Sequence, residues 1–139
     1  MPALKCILET ALYVEDLQAA SEFYENVMGL VRITRDDRLS SYDVDGRSVL
    51  LLFVRGGTED GMETDAGNYI PPHDASGQQH LAFETDRDDL EVWRRHLAAA
   101  GVEVLSDTSW MRGGQSLYFR DPDGHLLELA GTPGTWPGH

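Results

Sequence analysis

Two stretches of this 139-residue chain carry the same order of parts, and that repetition limits the fold more than any other feature. Residues 7–14, ILETALYV, alternate with the two-residue period of a strand. Asp16 then offers a helix N-cap, and Leu17, Ala20, Phe23 or Tyr24, Val27 and Met28 follow a helical period until Gly29 supplies a stop. Extended stretches follow at 31–36, 39–44 and 48–54, with the pair Asp45-Gly46 marking a tight turn before the last. The second half repeats this order. Residues 78–84 read as a strand, Asp88 with Glu91 fits a capping box, and Leu90, Trp93, Leu97 and Ala98 form a helical stripe ended by Gly101. Residues 102–105 are the next predicted strand, followed by the hairpin at 112–131. Glu9 lies 20 residues before Gly29, and His80 lies 21 before Gly101. A duplicated βαβββ module is the economical reading, and it predicts an α+β fold of eight strands and two helices. The expected organisation is a single domain over 1–139, with module 1 at about 5–55, module 2 at about 78–131 and a loop at 56–77 between them.

The hairpin holds the first chemical clue. Its turn, Asp121-Pro122-Asp123-Gly124, combines a proline that pre-sets φ with a glycine that tolerates positive φ. Leu117 and Phe119 alternate with Ser116, Tyr118 and Arg120, and on the return strand Leu127 and Leu129 alternate with Leu126, Glu128 and Ala130. One face is apolar, and a carboxylate in the middle of the other needs a cation or a donor. Glu9 interrupts the first strand of half one in the same way, and His80 occupies the matching place in half two. Glu128 corresponds to Leu50 or Leu51, in a strand apolar on both faces that alternation does not orient. If the sheets curve around a common cup, Glu9, His80 and Glu128 converge there.

Composition narrows the partners. Twenty-four acidic against eleven basic residues give a formal charge of −13, which leaves no basic stripe for nucleic acid or an anionic membrane. No apolar run approaches the ~20 residues of a membrane span, and the first residues do not begin a signal peptide. Cys6 stands alone, so no intrachain disulfide is available and a reducing, cytoplasmic setting is expected. Residues 55–77 are rich in glycine, proline and acids without a usable period, which predicts a long linker or a functional lid in which Tyr69 and His73 are candidates to close over a ligand. Residues 132–139 read as a tail with Trp136 as a possible anchor.

The strings L-Y-V-E-D-L, F-Y, G-L, then G-x-x-H-L-A-F and S-L-Y-F-R-D-P-D-G-H-L-L-E-L resemble the vicinal oxygen chelate superfamily. That group includes glyoxalase I, extradiol dioxygenases, fosfomycin-resistance thiol transferases and bleomycin-binding proteins. The resemblance spans about 8–130 and implies curved mixed sheets around one divalent metal ion: Mn, Fe, Zn or Ni. His80 and Glu128 match the usual His and Glu ligands, and Glu9 stands where many relatives carry His and some Gln. Leu51, or Leu50 by the turn alignment, replaces the fourth ligand, a Glu, of glyoxalase I relatives. The resemblance implies a metal acting as Lewis acid on a small molecule whose vicinal oxygens chelate it, in a lyase, isomerase, transferase or dioxygenase. Catalytic candidates are Tyr118 and Glu128; candidate substrate contacts are Ser116, Tyr118, Arg120, Trp110 and Arg112.

Each residue also has a structural reading. A histidine such as His80 taken alone is more often a hydrogen-bonded structural residue than a ligand, Glu9 also reads as a partner of Arg112 or Arg120, and Tyr118 equally as a sheet residue whose hydroxyl finds a nearby partner. Relatives that pair modules across two chains imply a homodimer with Glu9 from one subunit and His80 with Glu128 from the other. The alternative from a different class is a metal-free protein that sequesters a drug, for which the acidic balance suits a cationic ligand.

Overall fold

The computed structural model describes all residues, Met1–His139. The chain divides into two compact units, Met1–Gly77 and Gln78–His139. In the first, β1 (Glu9–Val14), α1 (Leu17–Asn26), β2 (Val31–Arg35), β3 (Leu39–Val44) and β4 (Ser48–Val54) build a sheet of order β1-β4-β3-β2. β1 runs parallel to β4, and the β4-β3 and β3-β2 pairs are antiparallel.

The helix forms where an apolar stripe meets good ends. Asp16 Oδ1 accepts hydrogen bonds from the amides of Gln18 (2.9 Å) and Ala19 (3.0 Å), satisfying two of the donors that a helix start leaves open. At the other end the Leu30 amide returns to the Tyr24 carbonyl at 3.0 Å, across Gly29 at φ +71°. Leu17, Ala20, Phe23, Tyr24 and Met28 are buried over the sheet face made by Leu12, Val14, Leu50 and Leu52. Asp16→Ala is expected to lower stability by about 1 kcal/mol, measured as a fall in the urea midpoint with an unchanged m-value.

Burial orients β4, which alternation left open: Leu50 and Leu52 lie under the helix, and Leu51 and Phe53 face the other way. Asp45 (φ 53°) and Gly46 (φ 63°) form the expected tight turn between β3 and β4. The predicted first strand is two residues too long, because Ile7 and Leu8 are exposed and the register with β4 starts at Glu9, the Leu8 carbonyl accepting only the first bond, from the Val49 amide. The segment read as a featureless loop contains a small hairpin, β5 (Met62–Glu63) with β6 (Tyr69–Ile70). Its strands have two residues each, too short for a periodic signal.

In the second unit β7 (His80–Asp86), α2 (Leu90–Ala99), β8 (Ser106–Ser109), β9 (Gln115–Arg120) and β10 (Leu126–Thr132) form a sheet of order β7-β10-β9-β8. The topology repeats that of the first unit, with β7 parallel to β10. Leu117, Phe119, Leu127 and Leu129 are each at most 1% exposed, and the helix that lies against β9 buries Leu90 and Leu97. The β9-β10 turn closes as expected, with the Gly124 amide on the Asp121 carbonyl at 3.0 Å. Asp121 Oδ1 also accepts from the amides of Asp123 and His125. His125, which sequence reasoning did not single out, is fully buried and its Nδ1 accepts from the Gln79 amide at 3.0 Å, tying the turn to the start of β7.

Three local expectations change here. The Asp88–Glu91 capping box does not form, because Arg87–Asp89 make a 3₁₀ turn that runs into α2 and puts Asp88 inside a helical turn instead of ahead of one. Ala98 is exposed, outside the buried stripe. The predicted strand at 102–105 is instead mostly the helix exit and approach: the Val102 amide bonds to the Leu97 carbonyl, the Leu105 amide makes the first bond to β9 at the Tyr118 carbonyl, and the strand register runs from Ser106. The 3₁₀ turn presses on β10 at Gly131, where a Cβ would stand 2.6 Å from Leu90 Cδ1 and 3.0 Å from Arg87 Cα. The tail is not pinned by Trp136, which is 70% exposed; its anchor is the close backbone approach of Gly134 to Gly114. No helix is long and apolar enough to cross a membrane.

Candidate metal and substrate site

In the second unit, β7, β9 and β10 carry four polar side chains to one sheet face. His80 opens β7, Ser116 and Tyr118 alternate on β9, and Glu128 on β10 stands directly opposite Tyr118 and beside Ala82. The opposite face is the apolar core, so the two-residue period alone forces these groups together. His80 Nδ1 lies 2.9 Å from the Leu126 carbonyl oxygen. A carbonyl only accepts, so Nδ1 is the donor, and in the neutral ring the lone pair is on Nε2. Nε2 lies 3.4 Å from Glu128 Oε2.

The Glu128 carboxylate is 6% exposed and held from behind. Its Oε1 accepts from the Ser116 hydroxyl at 2.6 Å, and Ser116 Oγ in turn accepts from the Trp110 indole N–H at 2.8 Å. Such outer hydrogen bonds fix the orientation of a ligating side chain. With Oε1 engaged, Oε2 and the His80 lone pair are two electron-pair donors facing one another. A proton or a cation between them resolves that arrangement, and an imidazole with a carboxylate is a donor set that suits a first-row divalent ion. The residues therefore fit the metal that the resemblance implied. Tyr118 stacks alongside His80, with ring centroids 6.3 Å apart. Burial, and then the nearby Glu128 charge, push the Tyr118 phenol above its ordinary value, so at neutral pH it keeps its proton and is a donor.

The first unit contributes a chamber on the sheet face away from α1. Its floor is Ala11 and Leu51, which are register partners, together with Phe53. Glu9, exposed at the start of β1, also lines it. Thr58, Met62, Ile70 and His73 come from the segment that carries the β5-β6 hairpin, and the volume is about 480 Å³, within the range of small-molecule sites. His73 is fixed there by its ring, Nδ1 lying 2.5 Å from the Tyr13 hydroxyl, and by its backbone, which exchanges hydrogen bonds with Thr58.

The structure thus brings together His80, Glu128, Ser116, Tyr118 and, through Ser116, Trp110. Glu9 belongs to the other unit, and no three His, Cys, Asp or Glu side chains gather within either. Arg120 is held at the turn by Gln78 Oε1 (3.2 Å) and the Gly124 carbonyl (2.9 Å). Arg112 is exposed in the β8-β9 turn. Of the two loop residues, His73 lines the chamber, while Tyr69 is 59% exposed with its hydroxyl toward the Asp60 carbonyl. Register also decides between Leu50 and Leu51. Glu128 lies two residues beyond the partner of His80, and Leu51 lies two beyond the partner of Glu9, so Leu51 is the counterpart of Glu128. Alternation placed Ser116 and Glu128 on one face, and the link from Trp110 to Ser116 left no sequence signal beyond the presence of the tryptophan.

The family model for the glyoxalase/bleomycin resistance protein/dioxygenase superfamily matches residues 7–129. The chain belongs to this superfamily. Among curated members, the metallothiol transferase FosB of Bacillus licheniformis is 31% identical over 117 residues, covering 84% of this chain and 68% of that protein. The glutathione transferase FosA of Serratia marcescens is 31% identical over 126 residues, 91% of this chain and 80% of its own length. Among solved members, lactoylglutathione lyase from Agrobacterium tumefaciens superposes with a TM-score of 0.84 at 35% identity, covering 94% of this chain and 96% of that one. The mixed α+β architecture expected from the repeat is that of the superfamily.

Proposed function

We propose that the protein is a divalent-metal-dependent enzyme acting on a small molecule with two adjacent oxygens. The observation that carries the reading is the facing pair His80 Nε2 and Glu128 Oε2, 3.4 Å apart, with the far atom of each side chain already tied down. His80 and Glu128 would hold the metal together with Glu9, and Leu51 at the fourth position argues for three protein ligands with coordination positions left for substrate. When bound, the metal supplies Lewis-acid stabilisation of negative charge developing on the substrate oxygens. The chain's own residues do the rest. Trp110 and Ser116 keep the carboxylate in one orientation, and Leu126 holds the His80 tautomer. Tyr118, protonated and on the same face, donates a hydrogen bond or a proton to a substrate oxygen.

A homodimer in which Glu9 of one subunit joins His80 and Glu128 of the other is part of this proposal, resting on how the superfamily pairs its modules. The enzyme names of the relatives above support catalysis over drug sequestration, and the two transferases make thiol transfer the first reaction to assay. Metal analysis of protein purified without chelator tests the reading. About one Mn, Fe, Zn or Ni per chain is expected; no stoichiometric divalent ion, together with a melting temperature indifferent to each of these ions, would sink it.

A further inference from the structure

The lining of the first unit's chamber says what kind of molecule suits it. Ala11, Leu51 and Phe53 make an apolar floor, and Met62, Ile70 and Pro71 add apolar wall from the hairpin segment. The charges at its edge are Glu9, Asp36 and Arg38, two negative against one positive. The Arg38 guanidinium already points to Met62 Sδ at 2.9 Å, and the chain as a whole carries −13. A compact anion would meet net repulsion and almost no donors there, while a flat apolar body would bury surface on both sides.

One polar group stands over this floor in a fixed pose. The His73 ring packs edge-on against Phe53 with centroids 4.8 Å apart, and its Nδ1 meets the Tyr13 hydroxyl. Burial, then the charge of Asp74, pushes the Tyr13 phenol above its ordinary value, and its hydroxyl engages Nδ1 of His73. Nε2 is then the ring nitrogen that Tyr13 does not engage, and His73 lines the chamber. Backbone bonds to Thr58 on both sides hold the residue in place. We propose that the chamber binds a neutral molecule with a planar apolar body and an oxygen on that body, and that His73 Nε2 hydrogen-bonds to that oxygen. This deepens the proposed function, since it takes the chamber as the place of the substrate's body, and makes His73 a specificity-determining residue.

The test uses 1-naphthol, which has a flat apolar body and a single oxygen and so does not chelate. Titration calorimetry in the presence of EDTA is expected to show saturable, sub-millimolar binding of 1-naphthol and none of inorganic phosphate. Ala11→Trp or Leu51→Trp, which fill the floor from half-exposed positions, should each weaken binding at least about tenfold by loss of the cavity. His73→Phe keeps an aromatic ring and removes the hydrogen-bonding nitrogen, and should weaken 1-naphthol by about 3- to 10-fold while leaving naphthalene unchanged. Circular dichroism selects the folded variants, and either floor variant suffices. Absence of 1-naphthol binding, full binding by a folded floor variant, equal loss of naphthalene in His73→Phe, or tighter binding of phosphate would each overturn the proposal. Because chelator is present throughout, failure of the metal reading leaves these outcomes untouched.

Discussion

Glu128→Ala is expected to lose stoichiometric divalent metal and to weaken metal affinity by at least about 100-fold, since removal of even an outer partner of a ligand costs 10- to 100-fold. The side chain is 6% exposed and joins the Ser116 hydroxyl to the face of His80. Its loss leaves His80 as the one ligand-type group at that place in the second unit. The measurement is metal content after dialysis, paired with the rise in melting temperature on adding Mn²⁺ or Zn²⁺. A ligand at 100 times its Kd stabilises by about 2.7 kcal/mol, and that increment should be absent in the variant. The fold should survive, because the cost is confined to the stranded Ser116 hydroxyl, about 1–3 kcal/mol. Retention of both the metal and the increment by a folded Glu128→Ala protein would remove Glu128 from the site.

Phe119→Ala should have the largest effect on stability. The ring is fully buried and pairs across the hairpin with Leu127, one residue away from Glu128 on β10 and from Tyr118 on β9. Truncating a buried phenylalanine costs about 3–5 kcal/mol through lost transfer energy and the cavity left behind. Against a total of about 5–15 kcal/mol for a domain, that is a large share. Urea unfolding followed by circular dichroism should show the midpoint falling sharply. Trp136→Ala, at a side chain 70% exposed, should stay within about 0.5 kcal/mol and serves as the reference. A midpoint for Phe119→Ala equal to that of Trp136→Ala would show that the apolar face of this hairpin is not the core.

Alternation and capping carried the sequence reading furthest. The split of β9 into Leu117 and Phe119 against Ser116 and Tyr118 is a local pattern, and it appears in the fold as core against polar face. The Asp16 cap and the Asp45-Gly46 turn are equally local, each specified by the conformational preference of one or two residues. The capping box at Asp88 failed for a local reason too: a 3₁₀ turn ahead of α2 moved the helix start, and one capping motif does not distinguish the two starts.

What the amino-acid sequence determined by itself was the repeated βαβββ order, the hairpin, and a polar face with Glu128 on it, because periodicity and turn chemistry act over a few residues. Tertiary structure decided the rest. Register across β1-β4 and β7-β10 made Leu51, not Leu50, the counterpart of Glu128. The contacts that orient the carboxylate, Trp110 to Ser116 to Glu128, and the histidine ring that lines the chamber, His73 against Tyr13 and Phe53, join residues 6, 12 and up to 60 positions apart. Such contacts depend on how strands register and where a loop packs, and periodicity reports which face a residue takes, not which side chains meet there.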